Sequence, residues 1–210
     1  MIEVNNLSLV KQGKKLLNDV SFSAEDGCIT GLVGSNGSGK TLIMKCICGL
    51  IVSYDGNIMI DGTEARTIEK KNIGMIIENP GFIPSYSGSR NLMTLAKIRK
   101  KAGKAEVVKA MKDVGLDPSS RLPVGKYSLG MRQRLGIAQA LMEDEKILIL
   151  DEPFNSLDEE MTDVIRKRLL IERDRKKCII ISSHNRDDID MLCDNVIQIK
   201  AQSRNNGLTR

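Results

Sequence analysis

A segment near the start of the chain has the residue types and the spacing of a phosphate-binding loop. Residues 34–41 are Gly-Ser-Asn-Gly-Ser-Gly-Lys-Thr, which matches the pattern G-x-x-x-x-G-K-[ST]. In such loops, backbone N–H groups surround the phosphates of a nucleotide, the lysine reaches the terminal phosphates, and the last hydroxyl is a ligand of magnesium. The residues predicted to bind nucleotide are Gly34, Ser35, Asn36, Gly37, Ser38, Gly39, Lys40, Thr41 and Leu42. A plain surface turn is the alternative, but an apolar strand-like run before the loop and a helix-like run after it argue against that.

Two carboxylates follow an apolar run in the second half of the chain. Residues 147–150 are Ile-Leu-Ile-Leu, which is typical of a buried strand, and Asp151 and Glu152 come directly after it. In phosphate-loop ATPases a carboxylate at this position helps to hold magnesium. Asp151 is therefore a predicted magnesium ligand together with Thr41, and Glu152 is predicted to polarise an attacking water. The alternative is a surface Asp-Glu-Pro turn, which the upstream phosphate loop disfavours.

A third segment has the features of a helix start that could bind an anion. Residues 127–134 are Tyr-Ser-Leu-Gly-Met-Arg-Gln-Arg, and Ser128 is a good N-cap residue. Apolar residues then recur on one helix face at Met131, Leu135, Ala138 and Met142. Such a helix presents the positive end of its dipole outward. Considered alone, the segment is better explained as an ordinary amphipathic helix with a serine cap.

The elements that must position these residues follow from periodicity and turn signals. Strands are predicted at residues 7–10, 20–22, 28–33, 57–60, 72–77, 147–150, 178–181 and 196–199. Helical spacing dominates between them, at about residues 85–145. This alternation of strands and helices predicts an α/β fold with a parallel sheet and antiparallel strands at the N-terminal end. We expect a single domain over residues 1–210, with a helical subdomain inserted at 85–145 and a frayed tail at 201–210.

Composition and charge disfavour several other classes of protein. A net charge of +5 over 210 residues is modest, and aromatic residues are only 3%, with no tryptophan to stack on bases. No nucleic acid partner is therefore expected. The five cysteines lack C-x-x-C spacing and lie mainly in apolar runs, which is typical of reduced core residues. Neither a signal peptide nor a membrane-length apolar run is apparent, so we expect a cytoplasmic chain.

Together these segments resemble the ATP-binding cassette (ABC) family of ATPase subunits over nearly the whole chain. The resemblance implies a phosphate-loop NTPase core that binds and hydrolyses ATP with Mg²⁺. Residues 127–131 look like the family signature L-S-G-G-Q, with Ser128 and Gly130 as the retained positions. In this family the signature meets the γ-phosphate held by a second ATPase subunit, which implies a homodimer or a heterodimer. The resemblance also implies a separate transmembrane permease, with this chain peripheral on the cytoplasmic face of the cell membrane.

Two further residues take an expected role from the resemblance. His184, the sole histidine, follows the predicted strand 178–181 where the family places a histidine near the γ-phosphate. Glu78 stands where the family usually has a glutamine that touches magnesium and water, so Glu78 is expected to act in catalysis and in metal binding. A glutamate at this position, followed by Pro-Gly-Phe at residues 80–82, is similar to the bacitracin and lantibiotic self-protection exporters.

Some features of the resemblance leave alternatives open. The aromatic residue that stacks on adenine in this family is missing near residues 11–13. Asp158 ends a segment similar to the loop along the family's dimer seam, but it could equally be only a helix N-cap. We expect an ATPase that drives export of an antimicrobial peptide or a lipid-like substrate. The alternatives are a soluble ABC-type ATPase outside transport, a phosphate-loop kinase, and an ATP-binding regulator without turnover.

Overall fold

The structure of the chain, a computed structural model, describes residues 1–68, 72–78 and 80–200. Its first half contains β1 (Ile2–Lys11), β2 (Lys14–Ala24), β3 (Ile29–Val33), α1 (Lys40–Ile47), β4 (Asp55–Ile60), β5 (Thr63–Glu64) and β6 (Ile73–Ile76). The second half contains α2 (Gly88–Arg99), α3 (Lys104–Asp113), α4 (Leu129–Leu141), β7 (Ile147–Asp151), α5 (Glu159–Asp174), β8 (Cys178–Ser183), α6 (Arg186–Leu192) and β9 (Asn195–Gln198). Short 3₁₀ turns lie at Ala65–Thr67 and Val124–Lys126. None of the helices in these described ranges has the length and apolar character needed to cross a membrane.

The strands form two sheets of different kinds. The order β2-β1-β4-β5 makes an antiparallel sheet, and the order β6-β7-β8-β3-β9 makes a parallel one. The carboxyl ends of β3, β7 and β8 therefore meet at one edge of the parallel sheet, because parallel strands all run in the same direction. This edge is where such sheets bind ligands. The predicted α/β fold with a parallel core and N-terminal antiparallel strands is confirmed.

The parallel strands are buried on both faces, and their residues alternate between two hydrophobic clusters. In β7, Leu148 and Leu150 belong to the cluster that includes α2, α3 and α4, whereas Ile147 and Ile149 belong to the cluster that includes α1 and the antiparallel sheet. This is the expected result of a period-two strand with apolar layers on both sides. The parallel sheet is thus fixed from two sides, and so are the residues at the ends of its strands.

Each predicted strand is present, but the short strand β5 was not predicted and several bounds were too short. The first predicted strand, residues 7–10, is the second half of β1, and the second, residues 20–22, is part of the much longer β2. Polar residues interrupt the apolar alternation there because Asn6 and Asp19, with φ of 53° and 52°, lie at irregularities in the pairing of β1 with β2. A local pattern breaks at a β-bulge even though the strand continues.

The helical segment predicted at residues 85–145 contains α2, α3 and α4, and its status as an inserted subdomain stays a prediction. These helices share one hydrophobic cluster with one face of the parallel sheet, and α4 packs against β6. The predicted tail at residues 201–210 lies outside the described residues.

Burial raises the pKa of the Cys178 and Cys193 thiols to about 12, so both are protonated at neutral pH.

Candidate nucleotide site

The phosphate loop connects β3 to α1, as its flanking runs predict. Gly39 is the residue before α1 and has a φ of 106°, a left-handed conformation that favours glycine. A Cβ built on Gly39 would lie 2.4 Å from a methyl carbon of Leu17, so a side chain does not fit there. The loop closes on itself through a hydrogen bond from the Ser38 N–H to the Ser35 carbonyl, at 3.0 Å. The first N–H groups of α1 have no partner within the helix, which makes this end of α1 suited to binding an anion.

Lys40 is buried at the start of α1, with a relative exposure of only 6%. Its Nζ donates a hydrogen bond to the carbonyl of Gly34, at 2.8 Å, and lies 4.0 Å from a carboxylate oxygen of Glu152. A buried ammonium is costly unless negative charge compensates it. The lysine is therefore held inside the loop in a position where the phosphates of a nucleotide would match its charge.

A hydroxyl and a carboxylate meet beside the loop, as the predicted magnesium site requires. Thr41 Oγ1 donates to Asp151 Oδ2 at 2.7 Å, and Ser182 Oγ donates to Asp151 Oδ1 at 2.6 Å. Hydroxyl and carboxylate oxygens are the hard donors that Mg²⁺ prefers. Thr41 and Asp151 therefore fit this ion, while Ser182 holds the carboxylate in place. Ser182 was not predicted as a site residue, although a serine at the end of an otherwise apolar strand could have indicated one.

Glu152 and His184, both predicted as catalytic residues, lie together at the ends of β7 and β8. His184 Nδ1 is 2.8 Å from Glu152 Oε2, and the backbone N–H of Glu152 donates to Ser182 Oγ at 2.8 Å. Glu152 has a φ of 49°, which is uncommon for a residue with a side chain and is found at sites where function requires a fixed geometry. Glu152 is only partly exposed, and its other carboxylate oxygen, Oε1, lies 4.0 Å from Lys40 Nζ.

Glu78 lies just after β6 and is paired with a lysine that the sequence did not single out. Its Oε1 is 2.5 Å from Lys45 Nζ, and its side chain is 64% exposed. Lys45 is four residues after Thr41, so both lie on the same face of α1. Glu78 thus has a cation beside it that offsets its charge. Its roles in metal binding and catalysis stay predictions.

The predicted helix start at Ser128 is confirmed. Ser128 is the N-cap of α4, and its hydroxyl accepts a hydrogen bond from the Met131 N–H at 3.2 Å. The next residue, Leu129, is 68% exposed although it is apolar. Within the ranges that the structure describes, no hydrogen bond or ion pair joins Ser128 or Gly130 to the phosphate loop. Asp158 caps α5, because its carboxylate accepts from the Met161 N–H at 2.8 Å.

Removing the Ser182 hydroxyl should weaken the magnesium site and lower stability. Ser182→Ala deletes two hydrogen bonds, one to Asp151 and one from the Glu152 N–H, at a fully buried position. We expect the free energy of unfolding, measured by urea denaturation, to fall by about 2 kcal/mol because a buried N–H loses its acceptor. The exposed Ser23→Ala is the control and should change it by less than about 0.5 kcal/mol. Equal values for the two variants would contradict the assigned role.

This geometry is that of a phosphate-loop nucleoside triphosphatase, because one loop lies beside a lysine, a hydroxyl–carboxylate pair and a glutamate. Residues 17–155 match the family described as ABC transporter. The chain therefore belongs to the ABC transporter family, as an ATP-binding subunit with ATPase activity, and the family predicted from the motifs is confirmed.

Several curated proteins are similar to this chain over most of its length. It is 42% identical over 201 residues to YybJ of Bacillus subtilis (strain 168), an uncharacterized ABC transporter ATP-binding protein, covering 95% of this chain and 92% of YybJ. It is 39% identical to the bacitracin transport ATP-binding protein BcrA of Enterococcus faecalis, covering 92% of this chain but only 64% of BcrA. It is 33% identical to the lantibiotic transport ATP-binding protein SrtF of Streptococcus pyogenes, covering 92% of this chain and 84% of SrtF. The chain thus spans slightly less than two thirds of that BcrA.

Solved structures of ABC cassettes have the same fold. The dimeric structure of MJ0796, a bacterial ABC transporter cassette, has a TM-score of 0.86 at 22% identity and covers 95% of this chain and 94% of that one. A second dimeric MJ0796 structure, in a post-hydrolysis state bound to ADP and Pi, also has a TM-score of 0.86, at 18% identity. At these identities the likeness establishes the fold.

Proposed function

We propose that this chain hydrolyses Mg²⁺-ATP at an interface between two ATPase subunits and thereby drives export through a separate transmembrane permease. The observation that supports the dimer is the separation of the two halves of the site. Lys40, Asp151 and Glu152 meet within one chain, whereas the Ser128 hydroxyl at the N-terminus of α4 hydrogen-bonds within its own helix. A second subunit, identical or different, would bring its own Ser128 and Gly130 to the γ-phosphate.

The reaction needs positioning and charge rather than covalent chemistry. In the proposed mechanism the N–H groups of residues 37–41 and the Lys40 ammonium hold the phosphates, and Thr41 and Asp151 would hold Mg²⁺. When bound, the metal neutralises negative charge on the phosphate oxygens. Glu152 accepts a hydrogen bond from the attacking water and orients it. His184, whose Nδ1 lies 2.8 Å from Glu152 Oε2, would support the γ-phosphate.

Two observations support an antimicrobial peptide or a lipid-like molecule as the substrate. BcrA and SrtF are a bacitracin and a lantibiotic transport protein, and their similarity to this chain extends over 92% of it. Glu78 replaces the glutamine usual in the family, as in exporters of this type. The site of action would be the cytoplasmic face of the cell membrane, where a permease subunit binds the chain.

Complementation of a deletion strain tests this function. Removing the coding sequence from its host should increase sensitivity to bacitracin or to a lantibiotic several-fold, and wild-type protein should restore resistance. Glu152→Gln should not restore it, because transport requires turnover. The wild-type protein should also sediment with membranes. Unchanged sensitivity would rule out the proposed substrate class, and a protein found only in the soluble fraction would favour an ABC-type ATPase outside transport.

The requirement for metal can be tested on the purified protein. Wild-type chain should release phosphate from ATP in the presence of Mg²⁺, and excess EDTA should abolish the release, since Thr41 and Asp151 would lose the ion that they are proposed to hold. Restoring Mg²⁺ should restore the activity. Phosphate release that is unaffected by EDTA would contradict the magnesium site.

A further inference from the structure

The side chain of Gln133 joins α4 to the turn that contains Glu152, the proposed catalytic glutamate. Gln133 lies in the second turn of α4, and its Nε2 donates to the backbone carbonyls of Glu152 and Pro153, both at 3.1 Å. The side chain is partly buried, and one amide nitrogen satisfies two acceptors of the same turn. Side-chain contacts of this kind fix the position of the turn relative to the helix.

A second contact joins the same two segments one turn earlier in α4. The Cα of Gly130 lies so close to the Ser156 carbonyl that a Cβ built on Gly130 would be 2.5 Å from that oxygen. Ser156 itself has a φ of 66°, a left-handed conformation that is uncommon for a residue with a side chain. The first two turns of α4 and residues 152–156 are therefore in contact at two points.

We propose that Gln133 is a positioning residue that couples the nucleotide bound by the N-terminus of α4 to the orientation of Glu152 in the same chain. The proposal depends on the proposed function, because in a dimer α4 would contact the neighbouring subunit's ATP while Glu152 acts on the chain's own ATP. A small shift of α4 on binding that ATP moves the backbone of Glu152 through the two Gln133 hydrogen bonds.

The local structure makes Glu152 sensitive to such a shift. Its left-handed backbone is supported on one side by Ser182, through its N–H, and on the other by Gln133, through its carbonyl. A displacement of the carbonyl rotates the side chain that must meet the attacking water, and misplacement by about 1 Å can cost as much as a hundredfold in rate. The rate of hydrolysis at each site of the dimer thereby depends on whether ATP occupies the other site. The total rate then depends cooperatively on ATP concentration.

Two substitutions separate this coupling from simple stability. Gln133→Leu keeps most of the volume but removes the donor, and Gln133→Glu keeps the shape but places a carboxylate beside two carbonyl oxygens. Gln139→Leu, at a partly buried glutamine later in α4, is the matched control. The readouts are phosphate release against ATP concentration, binding of a fluorescent ATP analogue to dilute protein, and the thermal midpoint.

We expect wild type and Gln139→Leu to show a Hill coefficient between one and two, as two coupled sites allow. Both Gln133 variants should have a Hill coefficient near one and a kcat lowered about tenfold. Their ATP affinity on single subunits should stay within about twofold of wild type, because the hydrogen bonds described for Gln133 go to the carbonyls of Glu152 and Pro153. A merely structural role would lower the thermal midpoint while leaving the Hill coefficient unchanged.

Two results would overturn the coupling, and they are distinguishable. If Glu152→Gln forms an ATP-bound dimer but Gln133→Leu has a wild-type kcat and Hill coefficient, only the coupling is wrong. If no dimer forms with ATP in the Glu152→Gln background, the proposed function fails as well, since no second site would exist.

Discussion

Replacing Glu152 with glutamine is expected to lower ATP turnover about a thousandfold while ATP binding is retained. The glutamine keeps the shape of the side chain and can still contact His184 Nδ1, which lies 2.8 Å from the carboxylate in the wild-type chain. It loses the negative charge that orients and polarises the attacking water. Because ATP then stays in the site, the protein should accumulate as a nucleotide-bound dimer.

Phosphate release and size-exclusion chromatography with Mg²⁺-ATP measure these two effects. Glu160→Gln, at an exposed position in the first turn of α5, is the matched control and should keep wild-type turnover. Turnover of Glu152→Gln within threefold of wild type would show that another group activates the water. A Glu152→Gln variant that stays monomeric in saturating Mg²⁺-ATP would instead contradict a site shared between two subunits.

Replacing Lys40 with alanine should abolish most nucleotide binding. The ammonium is 6% exposed and is held over the loop by the Gly34 carbonyl, so its charge is already desolvated and oriented before ATP arrives. Losing it should cost about 3 kcal/mol of binding free energy, or about a hundredfold in Kd, since charge-assisted contacts to phosphate are among the strongest hydrogen bonds.

Titration with a fluorescent ATP analogue gives the Kd of Lys40→Ala. The exposed Lys167→Ala serves as the control for a general loss of positive charge. The thermal midpoint of the Lys40→Ala variant without nucleotide should stay near that of wild type, which separates lost binding from lost folding. A Kd within threefold of wild type would remove Lys40 from the proposed role.

Local patterns in the sequence were enough to predict most of the fold and several of the residues that the structure brings together beside the phosphate loop. The phosphate loop, the strand before Asp151 and the cap at Ser128 are all encoded within a few neighbouring residues. The continuous apolar runs of β7 and β8 indicated strands buried on both faces, because a strand with one solvent-exposed face would alternate apolar with polar residues.

Contacts between distant segments could not be predicted in this way. Ser182 reaches Asp151 only because β8 pairs with β7, and strand order is not a local property. The ion pair between Lys45 and Glu78 depends on how the end of β6 lies over α1. That pair changes the interpretation of Glu78, since Lys45 partly offsets its negative charge.

The strand order of the parallel sheet predicts that amide hydrogens exchange at different rates in different parts of the site. The strands β7, β8 and β3 occupy the middle of the sheet, so their amide hydrogens should exchange with solvent only through global unfolding. The helix α4 packs against the edge strand β6, whose backbone is paired on one side only. Hydrogen exchange should therefore be slower in β3, β7 and β8, which carry the proposed catalytic residues, than in β6, against which α4 packs.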